Sequence, residues 1–213
     1  MKLIIFLLFL VTTTTIACKN KKQTSPPDTA DTTTARTTTT TTVAPDAAAD
    51  SADIRNLVMD FYDWYNKNYA KFMRYDLYSG IKKKDLPPYK INWNEVTKYQ
   101  QFIHDSVSQL GEAFLANQKR FFQQCDSAFK VDVKDELPYG FDYDWYTNSQ
   151  EEPSYLLDGI SKSGKWIISV KGHEASVEIG APEDKNYISG SLLLYVGIKK
   201  ENGQWKIARI GND

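Results

Sequence analysis

The residue pattern predicts an α+β domain in which helices precede an antiparallel sheet. Apolar residues recur every three or four positions as far as Phe129 and every second position from Trp166 onward. The first rhythm matches the 3.6-residue turn of a helix and the second the two-residue pleat of a strand. Asn202-Gly203, set between two alternating runs, is the dipeptide of a tight hairpin. A two-residue hairpin turn needs positive φ at both positions, which Asn and Gly tolerate best.

The chain opens on Met1-Lys2 and an apolar run from Leu3 to Val11. About nine residues at 1.5 Å each fall well short of the ~30 Å hydrocarbon layer, so the run reads as a cleavable signal over residues 1–17. Thr15-Ile16-Ala17-Cys18 resembles the lipobox of bacterial lipoproteins, and that resemblance implies a diacylglycerol on the Cys18 sulfur. More than one acyl chain makes anchoring effectively stable, and Lys19, Lys21 and Lys22 add attraction to anionic headgroups. An ordinary secretory cleavage after Ala17 is the alternative.

Residues 18–52 read as a tether. From Gln23 to Asp50 the composition is almost wholly Thr, Ala, Asp and Pro with no aromatic residue, too little apolar surface to offset ordering entropy. As a flexible coil of ~30 residues it would span about 30 Å root-mean-square. Asp28-Thr29-Ala30, Asp31-Thr32-Thr33 and Asp50-Ser51-Ala52 resemble a bacterial O-glycosylation sequon, which marks Thr29, Thr32 and Ser51 as candidate acceptors. The same pattern at Ser106 and Ser127 falls inside predicted helix.

The folded domain is expected over residues 53–213. Asp53 is a plausible N-cap for a helix of about twenty residues whose stripe is Ile54, Leu57, Val58, Phe61, Trp64, Tyr65, Tyr69, Phe72 and Met73. Lys82-Lys83-Lys84 and Pro87-Pro88 mark a loop. Between Asn94 and Phe129 a second helical region is split by Gly111, since glycine inside a helix costs about 1 kcal/mol relative to alanine. Trp166–Val170, Ala175–Ile179, a strand from Gly190 to Lys200 and one from Gln204 to Ile210 complete an antiparallel meander, its inner face covered by the first helix.

Charge and cysteine usage narrow the function. Lys and Arg total 26 against 27 acidic residues, a net −1 that becomes −2 once Lys2 leaves with the signal. Such a balance lacks the basic footprint of a nucleic-acid binder. Cys125, in Phe121-Phe122-Gln123-Gln124-Cys125, reads as an unpaired buried thiol.

Three segments resemble a family of uncharacterised bacterial lipoproteins with a nuclear-transport-factor-2-like, cystatin-like domain: Val58 to Tyr65, Asp142 to Glu151, and Gly203 to Ile207. The resemblance spans about residues 53 to 211. It implies a cone in which a bent sheet wraps an N-terminal helix around a pocket at its open end, and it implies no reaction.

Candidate pocket residues are Trp64, Tyr65, Tyr69, Asp144 and Tyr146, because amphipathic rings with polar tips suit a small or sugar-like ligand. The competing reading makes Phe61 and the same rings a core stripe, and leaves Asp142, Asp144, Glu151 and Glu152 as a solvated acidic loop. His104 and His173, the two histidines, have no ligand set for a metal, and no cofactor is implied. Neighbours on a helix diverge by about 100°, so His104 and Asp105 are not read as a catalytic pair. The leading expectation is a non-enzymatic module at the cell envelope, on the outer membrane facing the periplasm, binding a small ligand, a glycan or another envelope protein. A dehydratase or hydrolase using Asp144 or His173, and a homodimer formed through the sheet, are the alternatives.

Overall fold

The computed structural model describes residues 45–81, 86–131, 133–134 and 137–211. The chain divides into residues 1–41 and 42–213, and every described residue belongs to the second unit. The signal segment, Cys18, Thr29, Thr32 and Lys82–Lys84 lie outside the described residues. Among the described residues no helix is long and apolar enough to cross a membrane.

Helix α1, Pro45–Phe72, begins eight residues before the expected Asp53. Pro45 at the start and Ala47-Ala48-Ala49 after it favour helix, which a reading of composition as tether overlooks. Ser51 therefore sits within α1 rather than in a tether, and Asp53 is no cap. Of the predicted stripe, Ile54, Val58, Phe61, Tyr65 and Phe72 are nearly inaccessible while Leu57, Trp64 and Tyr69 are half-buried, and Tyr62, outside the predicted stripe, is buried with them. Met73 falls past the helix end and is exposed.

Strands β1, Tyr78–Ile81, and β2, Leu86–Ile91, form a separate antiparallel ladder that the sequence reading took for a loop. Pro87 and Pro88 lie inside β2. A two-stranded ladder has only edge strands, which tolerate residues without an N–H donor, and the register shifts between Ser79 and Ile81, opposite the prolines. Helices α2, Trp93–Ser106, and α3, Glu112–Val131, are separated at Gly111 as expected. A short helix α4, Pro153–Lys162, was missed; Pro153 opens it and Leu156 and Ile160 bury one side.

The last third is a four-stranded antiparallel meander in the order β3, Trp166–Lys171; β4, Glu174–Gly180; β5, Leu192–Glu201; β6, Gln204–Ile210. Asn202 and Gly203 take φ of 50° and 80°, as the tight turn requires. Strand alternation gives the sheet two unlike faces. Rows such as Ile168, Val177 and Val196 point inward and join the α1 stripe in one core. A row of Ser169, Ser176, Gly197 and Arg209 crosses the other face. Beside β6, Ile207 donates its N–H to the Gln109 carbonyl at 2.9 Å and accepts from Gly111 N–H at 3.0 Å, so the edge of β6 is already paired there.

Candidate binding cleft

The outward, polar face of the sheet forms one side of an open cleft of about 1240 Å³, with α3 and the loop at residues 139–148 as the other. The sheet side places Lys171, Glu174, Ser176, Tyr195, Lys199 and Arg209 at the surface of hydrogen-bonded strands. Their outward direction follows from the strand pleat, since the alternate positions Ile168, Val177 and Val196 are committed to the core. Arg209 lies 5.2 Å over the Tyr195 ring, and its Nη2 donates to Tyr195 Oη at 3.3 Å. Opposite stand Asn117, Arg120, Phe121 and Gln124 from α3, with Tyr139, Tyr143 and Trp145 from the loop.

The loop wall is held by what lies behind it. Tyr146 is fully buried and accepts at its carbonyl from Tyr62 Oη at 2.8 Å, while its own Oη meets Tyr99 Oη at 2.7 Å. Gln118 Nε2 donates to the same Tyr146 Oη at 2.9 Å. Asp144 accepts from Tyr146 N–H and from Tyr65 Oη, each at 2.8 Å. Trp145, between these two anchors, packs its ring 5.4 Å from Phe121 and 5.2 Å from Phe122, and donates Nε1–H to the Gly140 carbonyl at 2.6 Å. Alternate residues of Asp144-Trp145-Tyr146 thus serve the core and the cleft in turn.

Burial raises the Asp144 carboxyl above the usual carboxylate range, and the hydrogen bonds from Tyr146 N–H and Tyr65 oppose that shift. Burial likewise raises Tyr62, Tyr65, Tyr99 and Tyr146, which keeps the whole cluster uncharged on the phenol side. Gln118 is 7% exposed and its Oε1 has no partner in this arrangement. Turning the amide over would let Tyr99 donate to Tyr146 and Tyr146 to Gln118 Oε1, leaving the amide NH₂ unpaired instead. One polar end of Gln118 lacks a protein partner in either arrangement, in a residue that also lines the cleft.

The sequence-predicted site residues do meet, but in the core. Tyr65 and Tyr146 rings are 4.9 Å apart, Tyr69 lies 5.8 Å from Tyr65, and Trp64 packs on Phe72 at 5.9 Å. None of Trp64, Tyr65, Tyr69, Asp144 and Tyr146 lines the cleft, because the stripe that carries the first three must face the sheet's apolar side to be buried at all. Asp144 is not part of a solvated loop, whereas Asp142, Glu151 and Glu152 are exposed. Gln118 was missed although Phe114, Gln118 and Phe122 repeat at four-residue steps; that spacing on the buried stripe was the signal.

Other groups fall elsewhere. His173 is exposed in the turn between β3 and β4. His104 Nδ1 reaches Asp105 Oδ1 at 2.8 Å near the end of α2, where both side chains are exposed to solvent. That contact raises the imidazole pKa. Cys125 is buried and its thiol is pushed up to about 12 by burial, which makes it an inert packing group. Among the described residues no group of three or more His, Cys, Asp or Glu could hold a metal ion. No protein-family model, curated protein or solved structure matches the chain.

Proposed function

We propose that this protein is a binding module, held at a bacterial cell envelope by lipid on Cys18, that takes its ligand in the cleft between α3 and the polar face of the sheet. The observation that carries the reading is the construction of the cleft. One side is a hydrogen-bonded sheet presenting hydroxyl, ammonium and guanidinium groups, and the other presents rings braced by a buried tyrosine cluster. Rigid, preorganised side chains lose little freedom on binding, which favours affinity. The order of helices before an antiparallel sheet, with α1 against the apolar face, supports placing the domain among nuclear-transport-factor-2-like cones.

The reading is non-enzymatic. Asp144 is engaged by Tyr65 and Tyr146 in the interior, and His173 occupies the β3–β4 turn, so the two groups best suited to acid–base work lie in separate elements. The test is a structure of the full chain purified from its native host. Non-protein density between Arg209 and Trp145 is the expected result, lost from a Ser176→Trp variant that fills the cleft. A co-purified ligand on another surface, or one retained by that variant, overturns the reading.

A further inference from the structure

We infer that the loop between β4 and β5 is a second contact with the bilayer, its apolar tip entering the headgroup layer and setting which end of the domain faces the membrane, an inference that rests on anchoring through Cys18. Ile188 in this loop is 80% exposed, and Leu192, where β5 begins, is 46% exposed. One exposed isoleucine is ordinary on a protein surface. Here two tyrosines adjoin it: Tyr155 of α4, 38% exposed, stacks on Tyr187 with ring centroids 4.8 Å apart. Rings with a polar tip settle at the boundary between hydrocarbon and headgroups.

Polar groups around the tip already have partners, so little is lost when water leaves. Tyr155 Oη donates to the Asn186 carbonyl at 2.7 Å and Tyr187 Oη to the Tyr155 carbonyl at 3.0 Å. Ser191 gives its N–H at 3.1 Å and its hydroxyl at 2.8 Å to the Ile188 carbonyl. The neighbouring carboxylates are matched as well: Lys162 Nζ lies 2.8 Å from Asp158 and 3.8 Å from Asp184, and Lys165 Nζ lies 3.1 Å from Glu183. Lys185 is exposed and has no ion pair among the described residues, which leaves its ammonium for a headgroup phosphate.

The anchor permits this orientation. The register sets Leu192 opposite Gly180 and Lys199 opposite Glu174, so the tip lies at the far end of β5 from Lys200, which holds Asp50 near the start of α1. Along the strand, Leu192 and Lys200 are roughly 27 Å apart. The sequence from Cys18 to Pro45 reaches ~90 Å at full extension, enough to let the tip turn to the bilayer that holds the lipid. Tethering raises the effective concentration of that bilayer, so a contact of a few side chains suffices.

The chain purified with its lipid from native-host membranes and returned to phosphatidylcholine vesicles tests this. A fluorophore on Ser189→Cys reports the tip, and one on His173→Cys, in the exposed β3–β4 turn, reports the opposite end of the sheet. Cys125 is buried and a lipidated Cys18 has no free thiol, so the label goes where it is placed. The tip label is expected to emit at shorter wavelength and to be quenched by nitroxide-bearing lipids, the His173 label to do neither. Ile188→Asp in the tip-labelled chain should lower the ratio of docked to free domain about tenfold with an unchanged circular dichroism spectrum, burial of an isoleucine being worth roughly that factor. An unquenched tip label, equal quenching of both labels, or quenching that survives Ile188→Asp overturns the inference while the anchor stands. An intact mass without diacylglycerol overturns the anchor and this inference together, and the native-host structure decides the cleft reading separately.

Discussion

At Asp144 burial and hydrogen bonding pull against each other. Its carboxyl pKa is raised by burial in spite of donors from Tyr146 and Tyr65. A pKa raised on folding contributes stability that is complete below the ordinary carboxylate value and is lost as pH climbs through the raised value. Asp144→Asn removes that loss while keeping an acceptor for Tyr146 N–H. The melting temperature of the variant relative to the parent should therefore rise between acid and neutral pH; a difference independent of pH refutes the assignment. Gln118 shows the limit of reading residues singly. Its place in the stripe was legible, but that Tyr146, 28 positions on, would meet it was not.

Helix α3 begins without a capping side chain of its own. Glu201, at the end of β5, supplies one across the fold, its carboxylate accepting from Glu112 N–H at 2.9 Å and Ala113 N–H at 3.0 Å. An anion there satisfies two otherwise orphan donors and complements the positive end of the helix dipole. Gly111 belongs to the same device, since a Cβ there would lie 2.5 Å from Glu201 Oε1. Glu201→Ala should cost about 1 kcal/mol, a drop of roughly 2–4 °C in melting temperature. Thermal denaturation checks this, and a variant as stable as the parent shows the cap to be incidental. At this scale the rhythm of apolar residues located α1, α2, α3 and the meander. It missed the β1–β2 hairpin, where Tyr78–Ile81 is too short to alternate and two prolines interrupt the partner, and α4, one short helix beside the acidic loop.

The molecule is closed by a contact between its first helix and its last hairpin. Asp50 accepts from Trp205 Nε1–H at 2.8 Å and lies 3.2 Å from Lys200 Nζ, which in turn sits 4.8 Å over the Trp205 ring. The Trp205 hydrogen bond lowers the Asp50 carboxyl pKa, with Lys200 helping. Its stabilising effect is thus present above the ordinary carboxylate value and fades as pH falls through the lowered one, opposite in sign to Asp144. Asp50→Ala should free the first turns of α1, read as faster amide exchange there and a red-shifted Trp205 emission. Unchanged exchange would mean that the helix start is held by other contacts.

Local order was written in the sequence: the three-to-four step that makes α1, α2 and α3, the two step of the strands and the positive φ of Asn202-Gly203 each depend on residues a few positions apart. Which rings became core and which became wall depended on the tertiary structure alone. Tyr65 and Tyr146 look no more apolar than Tyr143 and Tyr195, yet the first pair is enclosed and the second faces the cleft. An amphipathic ring suits either place, and the choice is made by partners brought in from 79 positions away, as Asp144 is to Tyr65.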